Sequence, residues 1–288
     1  MNGVLIIDKP AGWTSMDVCA KLRGIFHEKR VGHAGTLDPM ATGVLPIFLG
    51  RATRAVEFAA DSDKEYYAGM KLGVITNTQD TTGTVLEERP VTADRAALEA
   101  VLPRFTGELE QLPPMYSAVK KDGKKLYELA RKGIEVERKP RHIVIKELEI
   151  TECIDPFTYV LRVLCTKGTY VRTLCHDIGA ALGCGGAMCS LRRTRAAGYT
   201  LSDAVTLEQV LAADDPTALT RPVDSCFVQY PAVTIDGRNL SKARNGNPFP
   251  WEGPENFYRV YGPNGDFLLL GVCKNGMMST RKNFFEVT

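Results

Sequence analysis

The chain has 288 residues, of which 44% are hydrophobic and 24% are charged, and its formal net charge is +2. At about 150 residues per domain, this length predicts two domains with ordinary hydrophobic cores and argues against overall disorder. No apolar run reaches the roughly 18 residues of a membrane helix, and no secretory signal is visible at the N-terminus. We therefore expect a cytoplasmic protein without membrane contact.

The first sixty residues predict a strand, a helix, a loop and a second helix. The apolar run Gly3 to Ile7 predicts the strand. Ser15 is the expected N-cap of the helix, which apolar residues at helical spacing extend to Phe26. Residues 31–50 are rich in Gly and Pro and predict a long ordered loop, followed by a helix near 51–59.

Strands and helices alternate irregularly through the middle of the chain. Strands are predicted over 66–72, 142–153 and 158–166, and helices over 94–105, 124–132 and 171–182. Because no steady βαβ repeat is present, the pattern favours an α+β fold. From Tyr230 onward, short β-like runs alternate with turns such as Asn264-Gly265. We therefore predict a larger domain over 1–229 and a small β-rich domain over 230–288.

Positive charge is concentrated in two segments. Residues 120–142 carry nine Lys and Arg against four Asp and Glu, and residues 162–195 carry six against one. Such asymmetry is typical of a site that binds a polyanion, although two solvated basic surfaces would have the same composition.

The eight cysteines do not form a recognisable metal-binding or disulfide pattern. None belongs to a Cys-x-x-Cys pair, so we interpret them as reduced thiols, most of them in the core. His176 with Cys184 and Cys189 is the one irregular candidate for a metal site, and the stretch 184–189 is predicted to form a loop. We expect neither a metal nor a cofactor.

The segment from Val31 to Pro46 carries the densest pattern. Its glycines permit positive φ angles and close approach of the backbone to a ligand, and Asp38 precedes Pro39. A carboxylate held in such a loop could be catalytic, or it could cap local amides in an ordinary Asx-Pro turn. The segment lacks the Gly-Lys-Ser/Thr ending of a phosphate-binding P-loop.

This segment resembles the signature of the TruB family of RNA pseudouridine synthases, with every fixed position present from Gly32 to Leu45. Residues 2–10, 64–66 and 167–172 resemble further motifs of the family in the same order, and 191–194 resembles the strand that follows them. The likeness covers about 2–200. The C-terminal segment resembles, less specifically, a small PUA-like RNA-binding domain.

The resemblance implies a pseudouridine-synthase-like mixed, largely antiparallel sheet flanked by helices. It also implies an isomerase that flips one uridine out of tRNA, at position 55 of the T-loop, and converts it to pseudouridine. The N1–C1′ bond breaks and C5 bonds to C1′, with no cofactor. The expected partner is the T-arm of tRNA, and we expect a monomer without an obligate protein partner.

The family motifs assign roles to individual residues. Asp38 matches the essential aspartate, Arg172 the arginine that pairs with it, and Tyr66 a tyrosine that stacks on the base and moves the C5 proton. Without the resemblance, Arg172 would be an ordinary helix-surface arginine and Tyr66 a core residue.

The remaining candidates are substrate contacts. His33 would fill the space left by the flipped base, and Lys9 and Lys167 would hold phosphates. Tyr170 and Leu191 would form walls of the uracil pocket. Asp80 resembles a substrate-contacting position, but it could equally belong to a hairpin turn.

Other functions remain compatible with these patterns. A guide-RNA-dependent pseudouridine synthase would share the signature, although such enzymes usually carry an N-terminal extension and a larger C-terminal domain. A non-catalytic tRNA-binding or tRNA-folding module would not need Asp38, Tyr66 and Arg172 together. A nucleoside hydrolase is less favoured because no acidic cluster that could activate water is evident.

Overall fold

The computed structural model describes residues 1–285. The α-helices of this part are α1 (Ser15–Phe26), α2 (Val56–Ala60), α3 (Arg95–Val101), α4 (Leu126–Ala130), α5 (Val171–Ala181), α6 (Leu207–Ala212) and α7 (Gly237–Arg244). Short 3-10 turns lie at Gly50–Ala55, Leu102–Phe105, Leu201–Asp203, Pro216–Leu219 and Val223–Phe227. The strands up to residue 200 are β1 (Gly3–Lys9), β2 (Val31–His33), β3 (Thr42–Leu49), β4 (Lys64–Leu72), β5 (Val74–Thr76), β6 (Val85–Glu88), β7 (Gly107–Gln111), β8 (Lys120–Lys121), β9 (Lys124–Lys125), β10 (Arg141–Asp155), β11 (Thr158–Cys165), β12 (Gly186–Ala196) and β13 (Tyr199–Thr200). The later strands are β14 (Ala232–Thr234), β15 (Phe249–Pro250), β16 (Phe257–Tyr261), β17 (Phe267–Lys274) and β18 (Met277–Asn283).

A nine-stranded sheet forms the centre of the larger part of the molecule. Its order is β1-β3-β12-β4-β11-β10-β7, with β2 beside β3 and β13 beside β12. All neighbours are antiparallel except β3 and β12, which run parallel. The expected mixed, largely antiparallel sheet is therefore confirmed.

The two faces of the sheet enter different hydrophobic clusters because successive strand residues point to opposite sides. On β1, Leu5 and Ile7 join the cluster that contains the apolar faces of α1, α3, α5 and α6. Val4 and Ile6 join a second cluster that includes residues of the C-terminal strands. The sheet is consequently covered on both sides near β1 and β3, next to the segment that carries Asp38.

The C-terminal part forms its own five-stranded sheet, in the order β14-β16-β17-β18-β15, with its own apolar core. Phe227, Phe267 and Phe284 pack together between this sheet and the larger part, with ring centroids 5.2–6.1 Å apart. The expected β-rich C-terminal domain is thus present. The last three residues of the predicted second domain, 286–288, lie outside the described residues.

Most predicted elements occur at the expected places, but the segment 31–50 is not one long loop. Residues 31–33 and 42–49 form β2 and β3, so the loop proper is only 34–41. The glycines at 32 and 43 suggested a loop, yet Gly43 is needed inside a strand pair. A Cβ at this position would lie 2.1 Å from the carbonyl oxygen of Arg193 on β12.

Three local predictions were also wrong. The N-cap of α1 is Thr14, which forms a capping box with Asp17, and the Ser15 hydroxyl is used elsewhere. Residues 124–125 pair with β8 before α4 begins at Leu126. The stretch 184–189 is not wholly a loop, because β12 begins at Gly186, where its backbone packs closely against Gly179 of α5.

Within residues 1–285, no helix is both long enough and apolar enough to cross a bilayer.

The close contact at Gly43 predicts a large difference between two glycine substitutions. Gly43 (φ +103°) and Gly12 (φ +82°) both have left-handed backbone, but a Cβ at Gly12 would meet no atom within 4 Å. Gly12→Ala should therefore lose only the conformational term of about 1–2 kcal/mol in the free energy of unfolding. Gly43→Ala should lose clearly more, because β3 and β12 must separate. Urea unfolding of both variants measures this, and equal losses would contradict the close packing of the two strands.

Candidate active site

The loop 34–41, called here the Asp38 loop, is held from behind by the N-terminal segment. The Lys9 ammonium donates hydrogen bonds to the carbonyl oxygens of Pro10 (2.8 Å), Trp13 (2.7 Å) and Pro39 (3.2 Å). The Ser15 hydroxyl accepts from the Leu37 amide at 2.9 Å. Two motifs that are separate in the sequence therefore form one unit that fixes the position of Asp38.

The expected phosphate contact of Lys9 is wrong. Lys9 is fully buried, and its ammonium is used by three backbone carbonyls. Burial lowers its pKa to about 8, against the opposing effect of the Asp38 charge. The Lys9 side chain therefore supports the Asp38 loop and does not face solvent.

The guanidinium of Arg172 pairs with Asp38. Arg172 Nε lies 2.9 Å from Asp38 Oδ2, and Nη2 lies 3.4 Å from Oδ1. Nη1 donates to the Thr78 carbonyl at 2.9 Å, and Nη2 also donates to the Tyr116 carbonyl at 2.8 Å. These contacts leave the Arg172 side chain 7% exposed, whereas 35% of the Asp38 side chain stays open. A reacting group can therefore reach the carboxylate while the arginine stays in place.

Asp80 joins this pair from the turn between β5 and β6. Its Oδ2 lies 3.6 Å from Arg172 Nη1, and its Oδ1 accepts hydrogen bonds from Thr78 and Thr82. Backbone hydrogen bonds join the turn to Met188 at the start of β12. Asp80 is thus both the turn residue and a neighbour of the ion pair. Met188, which holds the turn in place, belongs to the stretch 184–189 that was predicted to be a loop.

The charges around Asp38 act in opposite directions. Burial raises the pKa of the Asp38 carboxyl above its ordinary value, Arg172 opposes this increase, and the negative charge of Asp80 adds to it. The carboxyl is therefore more basic than an exposed aspartate, and Arg172 is the main group that favours its ionised form.

Tyr66 lies on β4, the strand between β11 and β12, and its side chain belongs to the main core cluster. Burial raises the pKa of its phenol, and the charge of Arg193 opposes that increase. Leu191 lies nearby on β12, opposite Ala68, and is 8% exposed. The sheet thus places an aromatic and an apolar side chain on neighbouring strands, and both belong to the main core cluster.

Tyr170 directly precedes α5 and is held through its backbone. The Gln111 side chain accepts from the Tyr170 amide at 2.7 Å and donates to its carbonyl at 3.1 Å. These two hydrogen bonds fix the start of α5, and Arg172 lies in its first turn. Gln111 carried no recognisable signal in the sequence, because its role depends on the packing of β7 beside α5.

His33 and Lys167 differ in their surroundings. His33 is half-buried on β2 opposite Ile47, and burial with the nearby Arg193 charge lowers its pKa, which favours the neutral ring. Lys167 is exposed and pairs with Asp61 at 2.7 Å. In the segment 120–142, Lys120 and Lys124 are exposed and have no carboxylate partner within 4 Å among the described residues.

Two buried cations near the site were not singled out from the sequence, although both lie in quoted motifs. Lys64 donates to the Ala60 and Ser62 carbonyls, and burial lowers its pKa to about 8. Arg193 is 0% exposed. Among residues 1–285, no group of three or more His, Cys, Asp and Glu side chains is arranged to hold a metal ion.

The chain matches two family models along most of its length. Residues 23–171 match the model of the TruB family pseudouridylate synthase N-terminal domain, and residues 172–227 match that of the tRNA pseudouridylate synthase B C-terminal domain. The boundary between the two matches falls beside Arg172, inside the unit built on the large sheet.

Curated relatives extend over nearly the full chain. The tRNA pseudouridine synthase B of Azoarcus sp. (strain BH72) is 46% identical over 295 residues, covering 98% of this chain and 94% of the relative. That of Clostridium kluyveri is 40% identical, covering 99% of this chain and 100% of the relative. The chain belongs to the TruB family of pseudouridylate synthases.

Solved structures share the fold. The crystal structure of a Cbf5-Nop10-Gar1 complex aligns with a TM-score of 0.73 at 26% identity, covering 99% of this chain and 85% of that chain. An H/ACA RNP bound to a substrate RNA containing 2'-deoxyuridine aligns with a TM-score of 0.72 at 23% identity, covering 99% and 86%. Both sheets of this chain are therefore found together in other proteins.

Burial and the Arg172 charge have opposite effects on ionised Asp38, and together they predict how the uncharged variant Asp38→Asn changes stability. Burial raises the pKa of Asp38 in the folded protein above its pKa in the unfolded chain. The folded state therefore binds this proton more tightly, which stabilises it at low pH. The stabilisation is lost as the pH rises from the unfolded-state pKa through the folded-state pKa. Asp38→Asn should therefore have a Tm at pH 7 equal to or above that of the wild type, with any advantage vanishing toward pH 4. Thermal unfolding between pH 4 and 8 measures this.

Asp80→Ala is the comparison for this experiment. It removes the acceptor of three hydrogen bonds and should cost about 1–3 kcal/mol of unfolding free energy. A Tm of Asp38→Asn several degrees below the wild type at pH 7 would show that the pair with Arg172 outweighs the cost of burial.

Proposed function

We propose that this chain converts the uridine at position 55 of the tRNA T-loop to pseudouridine. The observation that carries the proposal is the Asp38–Arg172 pair, buried on the arginine side and open on the aspartate side, in a chain closely similar to tRNA pseudouridine synthase B proteins. A carboxylate that is held by a fixed cation and remains accessible is the group that this isomerisation requires.

In the proposed reaction, the base leaves the stack and enters the pocket beside Asp38, at an unstacking cost of a few kcal/mol. Asp38 acts in its ionised form, either by attacking C1′ or by removing a ribose proton. The N1–C1′ bond breaks, the uracil turns in the pocket, and C5 bonds to C1′. Tyr66 stacks on the base and accepts the proton that leaves C5, while Tyr170 and Leu191 bound the pocket. No oxidant, water or energy source is consumed.

The RNA is held by charge and by shape. The neutral His33 ring fills the space left by the flipped base, since an uncharged imidazole stacks well. Lys167 and the exposed lysines of the segment 120–142 contact phosphates around the T-arm. Asp80 acts on the substrate through Arg172.

The proposed function also assigns a role to each part of the chain. Residues 1–229 form the catalytic domain, and 230–288 form a PUA-like domain that binds a further part of the RNA. The enzyme acts in the cytoplasm as a monomer without an obligate protein partner, and without a metal or cofactor. The Cbf5 structure aligned above is a complex with Nop10 and Gar1. The experiment must therefore distinguish an enzyme that acts alone from the guide-RNA-dependent synthase considered in the sequence analysis.

The activity is tested with T-arm RNA that carries tritium at uridine C5, because pseudouridine formation releases this tritium to water. The wild type should release it in the presence of EDTA, without guide RNA or partner proteins. Asp38→Asn should be slower by at least ~10³-fold, or more than about 4 kcal/mol in the barrier. RNA with cytidine at position 55 should release no tritium.

Asp177→Asn is the matched control. Asp177 is a half-buried carboxyl on α5 whose pKa burial also raises, but it makes no ion pair with Arg172. This variant should stay within twofold of the wild type. Tight binding of tRNA by the wild type without tritium release would instead indicate a guide-dependent enzyme or a binding module.

The proposed phosphate contacts predict the salt dependence of RNA binding. Each phosphate contact contributes about 0.7–0.9 to the slope of log K against log salt concentration. The double variant Lys120→Ala/Lys124→Ala should therefore lower the slope by about 1.5. Lys146→Ala removes a lysine that pairs with Asp63 at 2.6 Å and should leave the slope unchanged. Equal slopes in all three proteins would place the RNA away from the segment 120–142.

A further inference from the structure

Arg193 lies at the centre of the large sheet, between two parts of the proposed active site. It is on β12, where it pairs with Gly43 on one side and with Tyr66 of β4 on the other. Its side chain is completely buried. The reaction proposed above assigns no role to this residue.

The guanidinium of Arg193 holds both ends of the Asp38 loop. Nε donates to the Val44 carbonyl at 2.7 Å, just after the loop, and Nη2 donates to the Gly35 carbonyl at 3.0 Å, at its beginning. A Cβ at Gly35 would lie 3.2 Å from Arg193 Nη1, so the loop closes directly on the guanidinium. Nη1 is buried and has no hydrogen-bond partner among the described residues.

The charge of Arg193 is not neutralised by a carboxylate. No Asp or Glu oxygen of the described residues lies within 4 Å of it. Burial is the main cause of the lowered pKa values of Lys9, Lys64 and His33, and the charge of Arg193 adds to this effect. A buried cation without an anionic partner is costly to the folded protein. Such a charge is useful where negative charge develops during a reaction.

Tyr66 is the group on which this charge can act. The charged and titratable groups that influence its phenol are Arg193 from β12, Cys165 from β11 and Asp38 from the loop. Asp38 and Cys165 disfavour the ionised phenol, as burial does, and Arg193 alone among the three favours it. The unpartnered Nη1 is a hydrogen-bond donor on the residue that pairs with Tyr66 across the sheet.

We propose, on the basis of the function proposed above, that Arg193 is a positioning residue that fixes the Asp38 loop and stabilises the negatively charged form of Tyr66. After C5 has bonded to C1′, the C5–H bond breaks and its electron pair forms the C5–C6 double bond. The former C6–N1 double-bond pair takes a proton at N1, and the C5 proton goes to the phenolate oxygen of Tyr66. Tyr66 then returns this proton to solvent.

The ionisation of Tyr66 can be measured without turnover. Fluorotyrosine is placed at position 66, and its phenol is titrated by ¹⁹F NMR in the wild type and in the Arg193→Met and Arg192→Met variants. Arg193→Met should raise the phenol pKa by about one unit or more. Arg192→Met is the matched control, because Arg192 is the neighbour on β12, is 44% exposed and pairs with Asp8. An unchanged titration in Arg193→Met would overturn the proposal, whether or not the protein is active.

A kinetic measurement separates this role from simple structural support. Arg193→Met should release tritium at least tenfold more slowly, with RNA affinity within twofold of the wild type. The more acidic fluorotyrosine at position 66 should raise the rate of Arg193→Met more than that of the wild type, and Arg193→Lys should recover part of the loss. Equal effects of fluorotyrosine in both backgrounds would overturn the proposal.

If Arg193→Met does not fold, the proposal is tested by the reaction rate of the otherwise wild-type protein with fluorotyrosine at position 66. A more acidic phenol should increase its rate at pH 7, and no increase would overturn the role of the ionised phenol. If the wild type releases no tritium but Arg193→Met still shows the expected shift in the NMR titration, the result would count against the proposed function and would leave the effect of Arg193 on the Tyr66 phenol established.

Discussion

The ion pair between Asp38 and Arg172 is the interaction on which the site depends. Asp38 comes from the loop before β3 and Arg172 from the first turn of α5, and neither position is fixed by its own element alone. Arg172 also binds the carbonyl groups of Thr78 and Tyr116. Four separate stretches of chain therefore meet at one guanidinium. Because a planar guanidinium has donors in fixed directions, it sets the orientation of the carboxylate as well as its charge.

Behind this pair, the protein interior uses cations in an unusual way. Lys9, Lys64 and Arg193 are buried, and all three donate to backbone carbonyls instead of pairing with carboxylates. Carbonyl dipoles satisfy the hydrogen-bond donors but leave the positive charge in place. The result is a positive interior beneath the Asp38 loop, on the side of a site that handles a polyanionic substrate. The contacts of Lys9 and Arg193 also tie the loop to β1, β3 and β12.

The boundary between the two matched family models lies within the structural unit that forms the site. The matched family models meet at residues 171 and 172, whereas the large sheet draws strands from both sides of that boundary. Asp38 and Tyr66 lie before it, and Arg172 and Arg193 lie after it. The site exists only when β12 is inserted between β3 and β4, so the two matched segments form one structural unit around the pocket.

The local patterns of the sequence were sufficient for many elements. The apolar periodicities of α1, α5 and β4 correspond to buried faces, because side-chain direction repeats along a helix or strand wherever it lies in the fold. The resemblance of the motifs at 32–45 and 167–172 to the family also predicted that Asp38 and Arg172 pair, and the structure contains this ion pair. The role of Tyr66 stays a prediction. The separation of a β-rich C-terminal part was also visible, since turn residues mark strand ends locally.

Other features depend on residues far apart in the chain and carried no local signal. The chain around Gly43 becomes a strand because the backbone of Arg193 packs against it, and Lys9 is buried because Pro39 lies above it. A lysine or arginine has the same appearance in a sequence whether it faces water or a buried carbonyl group. Its role is set by which strands become neighbours, and that choice is made by the packing of the whole sheet.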